Sequence, residues 1–154
     1  MGTAMGMPEY RQVIETFCRN AAIENITDVL HHGAITVQGI PVWLQYFEPA
    51  DLCRILMDLG APDQGIPSDV WRMMLESNCT NGSVSLPFLG INPINGHAIL
   101  ILHLSVSMLL QEADFPKLLD EQLIPVARVW RELFNVVDVA GDRQYPLGLD
   151  TNLA

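Results

Sequence analysis

Residues 41–48 constrain the fold most, because this extended stretch is apolar on both of its sides. Val42 and Leu44 point one way, while Trp43 and Phe47 point the other, since successive side chains of a strand alternate between the two faces of a sheet. A single layer of helices covers only one of those faces. We therefore expect a sheet with one apolar face under helices and a second apolar face left for other contacts.

Two further β-rich stretches flank this one, and glycine or proline separates all three. The predicted strands are 34–38, 41–48 and 52–59, which as three consecutive strands indicate an antiparallel meander. Two more strands, 84–93 and 97–104, flank Asn95-Gly96, a dipeptide typical of a hairpin turn because both residue types tolerate positive φ. Pro87 has no N–H to donate, so it indicates an edge strand or a bulge.

Helix-period patterns predict three helices around these strands. The first begins near Pro8, and the second covers 68–78. The third begins near Asp114 as N-cap and runs to Leu133, with a kink at Pro125 because proline removes a helix hydrogen bond. The predicted fold is of the α/β class, α+β type, with the order α-β-β-β-α-β-β-α and helices packed on a twisted antiparallel sheet.

Size and charge indicate one acidic domain. The chain has 154 residues, 49% of them hydrophobic, which is enough for a single core, and its formal net charge is -10. That charge argues against nucleic acid and anionic lipid as partners. The longest apolar run, 98–110, is interrupted by His103 and is too short to span a membrane. We expect a domain over 8–137, an N-terminus (1–7) that is disordered or of non-native origin, and a loosely held tail (138–154).

The residues that usually carry chemistry are scattered. Cys18, Cys53 and Cys79 show no CxxC spacing, which fits a reducing cytoplasm, and no signal peptide is recognisable. His97 and His103 lie about 20 Å apart along one strand, and His31-His32 precede Gly33 as expected turn residues. The carboxylates form no pair in a buried context. We therefore expect no catalytic residues, no cofactor and no metal.

Several short motifs occur in a characteristic order along the chain. They are DLGAP at 58–62 after the third strand, MLESN at 74–78, GSVSL at 82–86, NPING at 92–96 and VWREL at 129–133. In order and spacing they resemble the CesT (Tir chaperone) family of class I type III secretion chaperones, whose corresponding motifs are LLxAN, gaxLgldpxsG and AexWrexL.

The resemblance implies a cytoplasmic homodimer in a Gram-negative bacterium. Such a dimer holds the N-terminal chaperone-binding segment of a secreted effector in an extended form before export linked to a secretion ATPase. We expect apolar effector-binding pockets on the first helix and first three strands, at Val13, Phe17, Ile35, Val37, Trp43, Leu44 and Phe47. The resemblance places the dimer interface at Val70, Trp71, Met74 and Leu86.

Two other functions remain open from the sequence. One is an adaptor or regulatory subunit of the same fold that binds another secretion component, for example in a heterodimer. The other is a small-ligand-binding domain or enzyme, which would need convergent polar groups that the sequence does not indicate.

Overall fold

The strands of the protein form a single five-stranded sheet. The computed structural model describes residues 6–80, 87–111 and 115–136. Its strands are β1 (Ala34–Val37), β2 (Ile40–Phe47), β3 (Leu52–Gly60), β4 (Phe88–Ile91) and β5 (Ala98–Ser105). Their order in the sheet is β1-β2-β3-β5-β4, with every neighbouring pair antiparallel. The predicted meander and the α+β class are confirmed.

Helices precede, interrupt and follow these strands. They are α1 (Gly6–Asn20), α2 (Ile26–His32), α3 (Ser68–Thr80), α4 (Val106–Gln111), α5 (Phe115–Leu118) and α6 (Ile124–Leu133). A 3-10 turn, Glu48–Ala50, joins β2 to β3, and a π-helical turn, Leu119–Leu123, joins α5 to α6. The periodicity predicts α1 and α3 correctly. Of the strand predicted over 84–93, residues 88–91 form β4, while residues 81–86 lie outside the described residues.

Two of the three hairpins, β1–β2 and β4–β5, form with turn residues that are recognisable in the sequence. Gln38 and Gly39 join β1 to β2 as a two-residue turn, with φ of 48° and 79°. Between β4 and β5 the predicted hairpin is confirmed, with a longer loop in which the N–H of Asn92 donates to the carbonyl of His97. Gly96 alone has positive φ there, while Asn95 accepts a hydrogen bond from the N–H of His97 through its side chain.

The short helices α2 and α4 are absent from the predicted order of elements. His31 and His32, predicted as turn residues, are instead the last two residues of α2, which ends at Gly33 in the left-handed conformation. The β-branched residues of α2 have modest helix propensity, so packing of the buried Val29 stabilises this single short helix. Helix α4 follows β5 directly, inside the apolar run that indicated only a strand and its exit.

The third predicted helix is divided into three segments. Pro125 is the second residue of α6, in the first turn of the helix, where proline is tolerated. The wider π-helical turn immediately before it separates α5 from α6. The kink at Pro125 stays a prediction, and the helix changes from π to α type just before this residue. The predicted N-cap, Asp114, lies outside the described residues.

The core lies between one face of the sheet and the helices. Its largest fully buried side chains include Ile14 from α1, Ile55 and Met57 from β3, and Leu119 and Leu123 from the π-helical turn. A second, small cluster on the other face contains Ala34, Trp43 and Leu56, with Ile101 packed against it, and all its described members are strand residues. The two apolar sheet faces predicted from β2 are confirmed.

A buried arginine fastens α6 to the middle of the sheet. Arg131 is only 3% exposed, and its Nη1 donates to the carbonyl oxygen of Asp58 at 2.9 Å. Strand β3 changes register between Asp58 and Gly60, so this carbonyl lies beside an irregularity of the ladder. The guanidinium thus stabilises the bulge and aligns α6 with β3.

The glycine at the end of α2 provides a test of this packing. Gly33→Ala is expected to lower the free energy of unfolding by about 3 kcal/mol or more, because alanine is strained at φ 66° and its Cβ would meet the carbonyl oxygen of Leu44. Gly65→Ala is the matched control, since its φ of 82° carries similar strain with no atom within 4 Å, and a loss of about 1 kcal/mol is expected. Urea denaturation measures both, and equal losses would contradict close packing of Gly33 on β2.

Candidate partner-binding surfaces

The sheet face with the small cluster of Ala34, Trp43 and Leu56 is here called the outer face. An apolar row crosses all five strands on this face. Each strand contributes one residue, and each is paired with the next across the sheet from one edge, β1, to the other, β4: Ala34, Trp43, Leu56, Ile101 and Phe88. Adjacent strands lie about 4.8 Å apart, so the row spans about 19 Å. Trp43 and Leu56 are buried, whereas Phe88 is 38% exposed. The row is therefore accessible mainly at its β4 end.

A polar row lies beside the apolar one. Gln45, Arg54 and His103 face one another across β2, β3 and β5. Arg54 Nε donates to His103 Nε2 at 3.1 Å, and the guanidinium carbon lies 5.0 Å from the ring centre of Phe47. The register of three strands thus brings together polar groups that are 49 residues apart in the chain.

His103 is the titratable group of this row. Burial and the neighbouring Arg54 charge lower the pKa of His103. Its neutral ring accepts from Arg54 through Nε2, which requires the ring proton to lie on Nδ1. Phe88 packs against the ring edge-to-face with the two centroids 5.4 Å apart. Arg54 and His103 therefore lie between two aromatic rings, those of Phe47 and Phe88.

A separate polar pair occupies the far end of the outer face. His97 Nδ1 lies 3.1 Å from both carboxylate oxygens of Asp58. Asp58 also accepts a hydrogen bond from the N–H of Gly60 at 2.6 Å. Asp58 is four residues from Arg54 on the same strand, about 13 Å away. Its carboxylate therefore contacts His97 and the Gly60 N–H at the bulge, and does not reach Arg54.

The β4 edge of the sheet is covered by a side chain of α3. Asn78 Nδ2 donates to the carbonyl oxygen of Leu89 at 2.9 Å, and the Leu89 N–H donates to Asn78 Oδ1 at 2.7 Å. An edge strand otherwise presents such groups to another chain. Asn78 therefore blocks strand addition at this point of β4, while β1 forms the opposite edge of the sheet.

Helix α3 exposes large apolar side chains. Trp71 is 41% exposed and Leu75 is 64% exposed, and they lie one turn apart on the same flank of the helix. Trp71 Nε1 donates to the carbonyl of Ile66, which holds the indole in one orientation. Met73, on the other flank, is 47% exposed. Neighbouring exposed apolar side chains on one helix are a common feature of protein interfaces.

The predicted effector-binding residues lie in different environments. Those buried in the core beneath the helices, at 5% exposure or less, are Val13, Phe17, Ile35 and Leu44. Val37 is partly buried against that core. Trp43 and Phe47 alone belong to the outer face, where Trp43 is buried in the row and Phe47 is half-buried beside Arg54. Direct contact between a partner and the four core residues would require a helix to move.

The predicted dimer-interface residues also divide into groups. Met74 is 3% exposed in the core, and Val70 packs against the core from α3. Trp71 is exposed on the surface of α3. Leu86 lies outside the described residues. The surface of α3 is thus formed by Trp71 and Leu75 rather than by Val70 and Met74.

The polar pair of the outer face, Arg54 and His103, is absent from the sites predicted from the sequence. Arg54 alternates with the apolar Cys53 and Ile55 in a predicted strand, and this alternation alone indicates that its side chain points away from theirs. His103 interrupts an apolar run in the same way. The pairing of Arg54 with His103, and of Asn78 with Leu89, has no local signal because the partners come from different elements.

The buried cysteines are unsuited to nucleophilic chemistry. Burial raises the pKa of the Cys53 thiol to about 12 and, together with the nearby Glu15, raises that of Cys18 to about 11. Both are therefore protonated thiols at neutral pH. Within residues 6–80, 87–111 and 115–136, no group of three or more His, Cys, Asp or Glu side chains is arranged to hold a metal ion.

None of the described helices combines the length and the apolar character that crossing a membrane requires.

Comparison with known proteins finds similarity in structure only. No protein-family model and no curated protein sequence matches the chain. One similar chain belongs to the ExsC-ExsE complex, with a TM-score of 0.60, 13% identity, and coverage of 92% of this chain and 100% of that one. Another belongs to the HopA1-SchA chaperone-effector complex, with a TM-score of 0.54, 18% identity, and coverage of 80% and 94%. The chain therefore shares its fold with chains of both complexes.

Asn78 is expected to stabilise the β4 edge. Asn78→Ala should lower the free energy of unfolding by about 1–3 kcal/mol, because it leaves the Leu89 N–H and carbonyl without this partner. It should also speed hydrogen exchange at the Leu89 amide, measured by NMR. Asn20→Ala, at the exposed end of α1, is the control and should change stability by less than about 0.5 kcal/mol. Unchanged exchange at Leu89 would contradict the edge-covering role.

His103 is expected to make stability depend on pH. Because the folded-state pKa is lowered, the unfolded chain takes up this proton at a higher pH than the folded chain. Stability should therefore fall as the pH drops from about 7 to about 5, and His103→Gln should reduce that fall. Urea unfolding at both pH values measures it, with His31→Gln in the exposed end of α2 as control. An unchanged pH dependence in His103→Gln would refute the assignment.

Proposed function

We propose that this chain is a type III secretion chaperone. In this proposal it binds the N-terminal chaperone-binding segment of a secreted effector and keeps that segment extended and competent for export in the cytoplasm of a Gram-negative bacterium. The observation that carries the proposal is the layering of the fold, with one sheet face under helices while Phe88, at the end of the outer-face row, and α3 present exposed apolar side chains. A surface of this kind suits a polypeptide partner.

The structural comparisons support a binding role of this kind. The fold is shared with a chain of a complex that is named as a chaperone with its effector. It is also shared with a chain of a second two-protein complex, over almost the whole of both chains. Together with the motifs that resemble the CesT family, this favours a chaperone over a small-ligand-binding domain.

The effector is proposed to contact the outer face and not the core. Of the seven residues predicted from the sequence, we retain Trp43 and Phe47, which belong to the outer face. The other five lie in the core or pack against it: Val13, Phe17, Ile35, Val37 and Leu44. Any strand that the effector adds to the sheet is proposed to lie beside β1, since Asn78 occupies the edge of β4. Apolar burial would supply the binding energy, offset by the ordering of the effector segment.

Self-association is proposed to use α3. Trp71 and Leu75 provide an apolar patch that a second copy would cover, whereas Met74 already contributes to the core of its own subunit. Two copies would place two outer faces in one assembly, which suits an effector segment long enough to reach both. A heterodimer with another subunit would use the same patch and corresponds to the adaptor function.

The assembly state tests the proposal directly. Light scattering after size-exclusion chromatography should show two copies of this chain when it is alone. Co-expression with the first ~100 residues of a secreted protein encoded beside it should yield a stable complex of two copies with one segment. A monomer that retains no segment would refute the chaperone function.

Variants separate self-association from folding in the same experiment. The double variant Trp71→Glu with Leu75→Glu should elute as a monomer, because two buried charges in the interface are not compensated. Val129→Glu is the control, since Val129 is 66% exposed and belongs to a different helix, α6. It should remain a dimer. Circular dichroism melting verifies that each variant is folded.

A further inference from the structure

Arg54 differs from the other arginines whose contacts are defined. Arg19 and Arg72 contact Glu15 and Glu76, whereas Arg128 and Arg131 each donate to a backbone carbonyl. The hydrogen-bond partner of Arg54 is instead a neutral imidazole nitrogen, on His103. Among the described parts of the chain, no carboxylate pairs with it. Its positive charge is therefore oriented by His103 and is not neutralised by any carboxylate of the described residues.

The surroundings of Arg54 favour an anion with apolar neighbours. The side chain is half-buried, so its charge is only partly hydrated and interacts strongly with an anion that reaches it. The aromatic ring of Phe47 lies against the guanidinium on one side, and Phe88 packs against His103 on the other. Ile101 continues the apolar row next to them. Arg54 is thus a single positive charge surrounded by apolar side chains.

The geometry of the guanidinium matches a carboxylate. Its Nε–H is used by His103, which leaves the two terminal nitrogens to donate to a pair of oxygens. Arginine and carboxylate form such paired hydrogen bonds with defined orientation. Because the chain as a whole carries a formal charge of -10, an acidic partner residue is disfavoured over most of the surface. A carboxylate would be favoured specifically at Arg54, and this would set the register of the bound segment.

We propose that Arg54, held by His103, binds an aspartate or glutamate side chain of the effector segment. The apolar residues on either side of that carboxylate pack against Phe47 and against Phe88 and Ile101. This inference rests on the proposed function and adds to it a sequence requirement, namely an acidic residue flanked by apolar ones. Apolar packing provides affinity, and the carboxylate specifies which residues of the segment occupy the outer face.

Two synthetic peptides that differ in one group provide the test. The probes are acetyl-Ser-Val-Leu-Glu-Leu-Val-Ser-amide and the same peptide with Gln in place of Glu, titrated into the full chain and followed by NMR chemical shifts. The Glu peptide should bind about tenfold more tightly than the Gln peptide, as expected for hydrogen bonds to a charged group. Equal affinities, or the absence of binding by both peptides, would overturn the inference.

Three variants test whether the difference in affinity between the Glu and Gln peptides depends on Arg54. Arg54→Met removes the charge, keeps a similar stem beside Phe47, and should abolish the preference for Glu. Arg54→Lys retains charge without the paired donors and should retain part of the preference. Arg19→Met makes the same change of net charge on α1, where Arg19 is paired with Glu15, and should retain the full preference. Full preference in Arg54→Met would overturn the inference, as would its loss in Arg19→Met.

The failure of this inference and that of the proposed function give different results. If the co-expressed segment is captured equally by the wild type and Arg54→Met, and the peptides do not discriminate, the chaperone function stands and the carboxylate site is refuted. If the peptides discriminate while no segment is captured, the site stands and the chaperone function is refuted. If light scattering shows that Arg54→Met converts a dimer to a monomer, the carboxylate belongs to a second copy and the inference is overturned.

Discussion

Strand β3 is the element on which the other parts of the structure depend. It is the central strand, hydrogen-bonded to β2 on one side and to β5 on the other. Its alternation sends Ile55 and Met57 into the core and Arg54 and Leu56 to the outer face. A shift of one residue would exchange these sets, so the register of β3 defines both the core and the surface. Arg131 helps to maintain that register from α6.

The layering that follows from this register leaves apolar side chains exposed at the surface. Helix side chains fill one face of the sheet, and the apolar cluster of the other face contains only strand residues among the described parts of the chain. Burial of apolar area in a partner interface is favourable for the same reason that core burial is. The exposed Phe88 and the exposed side chains of α3 are thus available for association without any change in the core.

Electrostatics limits which partners such surfaces accept. A strongly acidic chain repels acidic segments at long range, yet its outer face has Arg54, which His103 orients and which pairs with no carboxylate in the described parts of the chain. The β4 edge is covered by Asn78, which restricts unspecific strand pairing there. The apolar residues around Arg54 and the covered β4 edge favour pairing in one defined register over nonspecific association.

The local pattern of residues determined much of the fold. Alternation in β2 predicts two apolar faces, glycine and asparagine mark the hairpins, and the period of three to four residues predicts α1 and α3. Helices α2 and α4 were beyond such reasoning because each is short and is stabilised by packing, as with the buried Val29, more than by propensity.

Which face of each strand meets the helices was decided only in three dimensions. When both faces are apolar, alternation is symmetrical, so Ile35 and Leu44 fit the core and a binding surface equally well until Val13 and Phe17 of α1 are seen in the same core cluster. The contact between Arg54 and His103 is likewise a product of strand register, since it joins residues 49 positions apart. The sequence by itself determined the elements and the two-faced character of the sheet. The tertiary structure alone decided which face remained for a partner, because burial depends on what packs against a residue and not on its neighbours in the chain.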